Sequence, residues 1–226
     1  MKYKTLLLDV DGTLLDFDAS AAKSLEILFS QRNYPFDGRI FPLYTRINNG
    51  LWERYERGEI ERDRVLVDRF TMLFEELGID EKGETFEYDF RDQLEKNPVW
   101  MDGAEDLLKY LLPKYKMYIV TNGVASTQRK RLAATGLDAY VEDVFISEVI
   151  GAQKPQKAFF DYCLEHIGDC DLSEVLLIGD SLSADILGAN NAGIPSCWFN
   201  PHGKPNPGQA VPDLEIRDLS ALYDIL

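Results

Sequence analysis

Thr5-Leu6-Leu7-Leu8-Asp9-Val10-Asp11-Gly12-Thr13 is the stretch on which the fold turns. An unbroken apolar run that ends in two acids and a Gly-Thr turn reads as a strand buried on both faces, with polar groups at its carboxyl end. The spacing predicts this strand over Tyr3–Val10. Met117–Thr121 (MYIVT) and Val175–Gly179 (VLLIG) have the same character, and Val144–Ile146 and Pro195–Phe199 (PSCWF) are weaker examples. Between them lie helical faces, Ala104, Leu107, Leu108, Leu111 and Leu112 on one, Phe159, Phe160, Cys163 and Ile167 on another. Strands alternating with amphipathic helices predict an α/β protein, a doubly wound, Rossmann-like parallel sheet of right-handed βαβ units.

The segment after the first strand has a different period. Leu43, Ile47, Leu51, Trp52 and Tyr55 recur at helical spacing, as do Val65, Phe70, Leu73, Phe74 and Leu77. No strand-like run interrupts them. The expected organisation is a discontinuous catalytic core, residues 1–15 and 99–226, carrying an α-helical cap over residues 16–98.

Composition narrows the function. The 226 residues include 24 Lys plus Arg against 39 Asp plus Glu, a net charge of −15. Nucleic-acid polymers and anionic membrane surfaces call for a basic patch, so neither is an expected partner. The acidity is spread over both parts of the chain. Cys163, Cys170 and Cys197 form no CxxC pair and read as thiols of a reducing compartment. With only His166 and His202 present, a His-rich metal site is excluded. No apolar run approaches the roughly 18 residues that a membrane span needs, and the apolar stretch before Asp9 is short for a signal peptide. A cytoplasmic location is expected.

Polar groups gather where strands end. Asp9 and Asp11 are two acids one residue apart with no base beside them, a pairing that calls for a cation or a shared proton. Thr121-Asn122-Gly123 offers a hydroxyl and free N–H groups at a helix start, where anions bind. Lys154 lies in Gly151-Ala-Gln-Lys-Pro155, before another helix, and Gly179-Asp180-Ser-Leu-Ser-Ala-Asp185 adds two carboxylates. In a doubly wound sheet, ligands bind beyond the carboxyl ends of the strands. Any one of these groups has a structural explanation as a turn, a surface lysine or a helix cap. Four in succession at strand ends define a site.

These motifs, Asp9-x-Asp11-Gly-Thr, Thr121 with Asn122-Gly123, Lys154, and Gly-Asp180-x4-Asp185, resemble those of the haloacid dehalogenase-like hydrolases along the whole chain. Ser147-Glu-x-x-Gly, Asp185-Ile-Leu-Gly-Ala and Cys197-Trp-Phe-Asn-Pro look most like its pyrimidine 5′-nucleotidases. The resemblance implies a Mg²⁺-dependent phosphomonoesterase acting on a small phosphorylated substrate, a nucleoside monophosphate. Asp9 would be the nucleophile that becomes an aspartyl-phosphate, and Asp11 the general acid and base. Thr121, Asn122, Gly123 and Lys154 would hold phosphate oxygens. Mg²⁺ would sit on Asp9, the Asp11 backbone carbonyl and Asp180, with Asp185 supporting. Phe17, Asn48, Trp52 and Tyr55 are candidate substrate contacts of the cap, and Arg129-Lys130-Arg131 reads as a solvated helix face.

Other readings compete. Gly179-Asp-Ser-Leu182 spells a serine esterase motif with Ser181 as nucleophile, but the residues three before His166 and His202 are Cys163 and Phe199, not the Asp that class requires. A phospho-acceptor signalling module shares acids, Thr and Lys on a doubly wound sheet, yet needs neither the insertion nor a second acid. Mutases and phosphatases of sugar phosphates or phosphoglycolate share the same core.

Overall fold

The structure, a computed structural model, describes residues 2–226. Six strands, β1 (Thr5–Leu8), β2 (Lys116–Thr121), β3 (Asp143–Ile146), β4 (Val175–Gly179), β5 (Ser196–Phe199) and β6 (Leu214–Ile216), form one sheet. Every pair is parallel, and the order is β3-β2-β1-β4-β5-β6. The chain winds outward from β1 through β2 to β3, then crosses back to β4, so the winding reverses beside β1. That reversal opens a crevice at the carboxyl ends of the central strands.

Successive side chains of a strand point to opposite faces, and β1 shows what this requires of its sequence. Leu6 and Leu8 pack with Leu107, Leu108 and Leu111 of α5 (Ala104–Leu111) and with Leu132 of α6 (Ala125–Thr135). Leu7, on the other side, packs with Phe159, Phe160 and Cys163 of α8 (Lys157–Ile167) and Ala189 and Ala192 of α9 (Leu187–Ala192). Both faces are covered, which explains the unbroken apolar run. The strand ends at Leu8, short of Val10: the Asp9 N–H still donates to the Ile178 carbonyl at 3.0 Å, and beyond it the Leu14 and Leu15 N–H groups turn back onto the Val10 carbonyl. A short helix, α7 (Ser147–Ile150), follows β3 directly. Strand β6 has no counterpart in the sequence reading: it is a three-residue edge strand with a charge, Glu215, in the middle.

Contacts divide the chain into two compact units, Met1–Asp16 with Val99–Leu226, and Phe17–Pro98. Asp16 thus falls with the sheet, one residue beyond the expected boundary. It does so because its N–H donates to the Val99 carbonyl at 2.9 Å, while the Met101 N–H donates to Leu14 at 2.9 Å. The outgoing and returning segments are paired backbone to backbone.

The second unit consists of α1 (Phe17–Gln31), α2 (Ile40–Glu56), α3 (Arg62–Leu77) and α4 (Gly83–Lys96). Its core is aromatic: the ring of Phe70 lies 4.7 Å from Phe86 and 4.9 Å from Phe90. Within that core Arg69 and Glu87 form a two-pronged ion pair, Nε to Oε2 and NH2 to Oε1, both 2.9 Å. Arg69 NH1 also donates to Asn48 Oδ1 at 3.0 Å and to the Tyr44 hydroxyl at 3.3 Å. Burial pushes the Glu87 carboxyl above its ordinary range even against Arg69. Removing Arg69 leaves the buried Glu87 carboxylate only the more distant Arg91 Nε, at 3.4 Å, so Arg69→Met should destabilise the protein by about 3 kcal/mol. Arg69→Met with Glu87→Leu should recover most of that loss, both measured as urea-unfolding free energies.

Candidate active site

The site is built from strand ends. Asp9 and Asp11 follow β1, and the turn after them needs Gly12 for two reasons. Its φ is +87°, and a Cβ there would stand 2.7 Å from Asp180 Oδ2. Asp9 is 6% exposed, and Thr13 Oγ1 donates to its Oδ2 at 3.2 Å.

Lys154, 2% exposed, is the hub. Its Nζ donates to Asp9 Oδ1 at 2.7 Å, Asp185 Oδ1 at 2.6 Å and the Val120 carbonyl at 2.9 Å, which uses all three hydrogens. Its backbone is held as firmly. Asn122 Oδ1 accepts from the Lys154 N–H at 3.0 Å, and Asn122 Nδ2 donates to the Lys154 carbonyl at 2.9 Å. The Asn122 side chain therefore fastens the lysine loop, a job its place in Thr-Asn-Gly did not reveal. Thr121 Oγ1 accepts from the Gly123 N–H at 3.1 Å, so that N–H is turned onto Thr121.

After β4 the chain enters a π-helical turn, Leu182–Ile186, which carries Asp185 inward. The carboxyl of Asp185 occupies the space a side chain at Gly179 would fill, and its Oδ2 accepts from the Ser181 N–H at 3.0 Å. The Asp180 carbonyl is fixed by the Trp198 indole N–H at 2.9 Å. Ser181 Oγ accepts from the Ala184 N–H at 3.1 Å and caps this turn. His166 is occupied with the Tyr162 carbonyl, at 2.8 Å.

The crowding has electrostatic consequences. Burial pushes the Asp9 carboxyl from its ordinary 3.8 up to about 7, with the charges of Asp185 and Asp11 adding to it and Lys154 opposing. Burial, then Asp9 and Asp185, raises Asp180 well above its ordinary range. Burial works against the charged form of Lys154, but Asp185 and Asp9 outweigh it and the lysine is raised. Asp9, Asp180 and Asp185 each offer a carboxylate oxygen, all within 4.8 Å of one another. An all-oxygen set carrying surplus negative charge suits a hard divalent cation. The Asp11 carboxylate is not part of that trio.

Asp11 instead faces α6. Arg131 NH1 donates to its Oδ1 at 2.6 Å and Gln128 Nε2 to its Oδ2 at 2.8 Å. Arg131 is 2% exposed, so the expectation of a solvated Arg129-Lys130-Arg131 face fails at this residue. Helical spacing was the available signal: Ala125, Gln128 and Arg131 share a face of α6, but that face is not apolar.

The cap candidates lie within the helical unit. Asn48 is buried against Arg69 and Tyr55 is buried in the core. Trp52 stands edge-on to Tyr55 at 5.6 Å, and Phe17 packs half-buried against the same core. Among the described residues, no helix is long and apolar enough to cross a membrane.

The profile of the haloacid dehalogenase-like hydrolases matches residues 3–193. HAD-hydrolase YfnB of Bacillus subtilis (strain 168) is 44% identical, with 100% of this chain and 96% of that protein aligned. Its crystal structure, bound to magnesium, superposes with a TM-score of 0.95 over 100% of this chain and 99% of that one. Pyrimidine 5′-nucleotidase PynA of Streptococcus pneumoniae (strain ATCC BAA-255 / R6) is 37% identical over 100% of this chain and 96% of its own length. Pyrimidine 5′-nucleotidase YjjG of Escherichia coli (strain K12) is 34% identical over 100% and 99%. The chain belongs to the haloacid dehalogenase-like hydrolase family.

The raised carboxyls set a pH dependence. An acid whose folded pKa lies above its unfolded value favours the folded state at low pH, and that contribution is lost as pH rises through the folded pKa. With Asp9 moved from 3.8 to about 7, metal-free protein should lose stability across that window. Added Mg²⁺ should raise the thermal midpoint more at pH 8 than at pH 5, because cation binding needs ionised carboxylates. Scanning calorimetry at both pH values, with and without Mg²⁺, checks this.

Proposed function

We propose that the chain is a Mg²⁺-dependent phosphomonoesterase, a 5′-nucleotidase that dephosphorylates pyrimidine nucleoside monophosphates. The observation that carries this reading is the division of labour between Asp9 and Asp11. One carboxylate is buried against Lys154 and Thr13, the other is turned to Gln128 and Arg131 with its side chain 30% exposed. Two acids with separate partners suit separate roles. The nucleotide class is supported by the two full-length relatives named pyrimidine 5′-nucleotidases.

In the proposed reaction an Asp9 oxygen attacks phosphorus and the bond to the ribose oxygen breaks. Asp11 gives its proton to the departing oxygen. Water then attacks the phosphorus of the aspartyl-phosphate, Asp11 takes a proton from that water, and the Asp9 carboxylate is regenerated with release of inorganic phosphate. The Thr121 hydroxyl and the Asn122 N–H hold the transferring oxygens, joined by Lys154 and the Gly123 N–H as the substrate replaces one of the lysine's present acceptors and the Thr121 oxygen that the Gly123 N–H now meets. Asp9, Asp180 and the Asp11 backbone carbonyl, with Asp185 in support, would hold Mg²⁺, which would supply positive charge that makes the acidic site receptive to a phosphate dianion. The helical unit acts as the cap, and Phe17 and Trp52, half-buried on its core, are its candidates for contacting a base.

Phosphate release from UMP, dUMP, dTMP, AMP, a hexose phosphate and phosphoglycolate, with and without Mg²⁺, tests the proposal. The expected result is highest kcat/KM for the pyrimidine nucleotides, and only with Mg²⁺. Preference for the sugar phosphate or phosphoglycolate overturns the nucleotidase reading. Asp9→Asn should lower turnover by at least about 10³-fold, whereas Ser181→Ala should leave the chemical step within a few fold.

A further inference from the structure

Asp11, Gln128 and Arg131 form a closed ring of hydrogen bonds. Arg131 NH1 donates to Asp11 Oδ1 at 2.6 Å and to Gln128 Oε1 at 2.9 Å. Gln128 Nε2 donates to Asp11 Oδ2 at 2.8 Å and to Thr121 Oγ1 at 2.9 Å. The ring has one sense only. Guanidinium nitrogens only donate, so the Gln128 oxygen must face Arg131, and its nitrogen then faces Asp11.

The fold makes concessions to this ring. Arg131 is buried, yet its Nε and NH2 have no hydrogen-bond partner among the described residues. Burying a guanidinium with unsatisfied donors is unfavourable, and a buried ion pair is a poor source of stability. The backbone concedes space as well. A Cβ at Gly123 would stand 2.6 Å from Gln128 Nε2 and 2.7 Å from its Cγ, so the glycine of Thr-Asn-Gly is what lets Gln128 reach across.

We propose that Gln128 and Arg131 are positioning residues for the reaction, a clasp that fixes the Asp11 carboxylate relative to Thr121 so that Asp11 meets both the departing oxygen and the attacking water. Neither touches the substrate in this assignment. Both act through Asp11, and Gln128 ties that acid to the phosphate-holding hydroxyl of Thr121. The proposal rests on the phosphohydrolase reading above.

A carboxylate freed from its two donors loses its aim, and misplacement of this kind costs about 10–100-fold in rate. Arg131→Met and Gln128→Met should therefore each lower kcat about 10–100-fold with KM within about threefold of wild type. Arg131→Lys, which keeps one donor toward Asp11, should recover part of the loss. The decisive measurement is a double-mutant cycle with Asp11→Asn, followed by phosphate release with UMP and Mg²⁺. If Arg131 works through Asp11, Arg131→Met adds less than about twofold to the loss already caused by Asp11→Asn, since groups acting as a unit are non-additive. A merely structural role would give the full loss in both backgrounds and overturn the proposal, as would a kcat unchanged in both methionine variants. Wild-type turnover, measured first, decides the underlying reading separately. If Arg131→Met does not fold, Gln128→Met, which removes no charge, carries the same cycle.

Discussion

Lys154 is shared by the Asp9 and Asp185 carboxylates and the carbonyl that ends Val120, and most of the site follows from how that sharing is arranged. The lysine joins the carboxyl ends of β2 and β1 to the turn after β4, and only a parallel sheet with β1 between the other two brings those ends together. The negative charge on this rim exceeds what one ammonium can balance, and the raised Asp9 and Asp180 carboxyls are the consequence. A cation and an anionic substrate therefore have complementary claims on the same place. The net charge of −15, which at first weighs against an anionic ligand, does not exclude one that arrives together with a metal.

Glycine supplies the other half of the arrangement. At Gly12 and Gly179 the absent side chain is replaced by the carboxyl of Asp180 and of Asp185 respectively. The motif spacing Asp-x-Asp-Gly and Gly-Asp-x4-Asp is, in this molecule, a statement about volume as much as about chemistry. The acids can approach one another only because the backbone beside them is bare.

The central strands were legible because burial on both faces leaves a continuous apolar run, and the acids stood out because they broke it. The family resemblance added the roles expected of them. What the sequence concealed were polar groups buried by partners far along the chain. Arg131 meets an acid 120 positions away, and Arg69 meets one 18 positions away. A charged residue on a helix looks solvated until the element that covers it is known, and periodicity registers apolar faces only. Strand β6 was missed for a related reason: at an edge, pairing on one side suffices, and a three-residue strand with a central glutamate has no distinctive pattern.

The paired segments Leu14–Asp16 and Val99–Met101 have an evolutionary consequence. The chain leaves the sheet unit and re-enters it through one doorway, its two ends already held side by side. A unit lodged at such a point can be lengthened, exchanged or lost in a single recombination event without re-threading the sheet. Selection on the helical unit is thereby separated from selection on the carboxylates of the sheet unit. One lineage of catalytic cores can then carry different insertions while its strand ends stay the same.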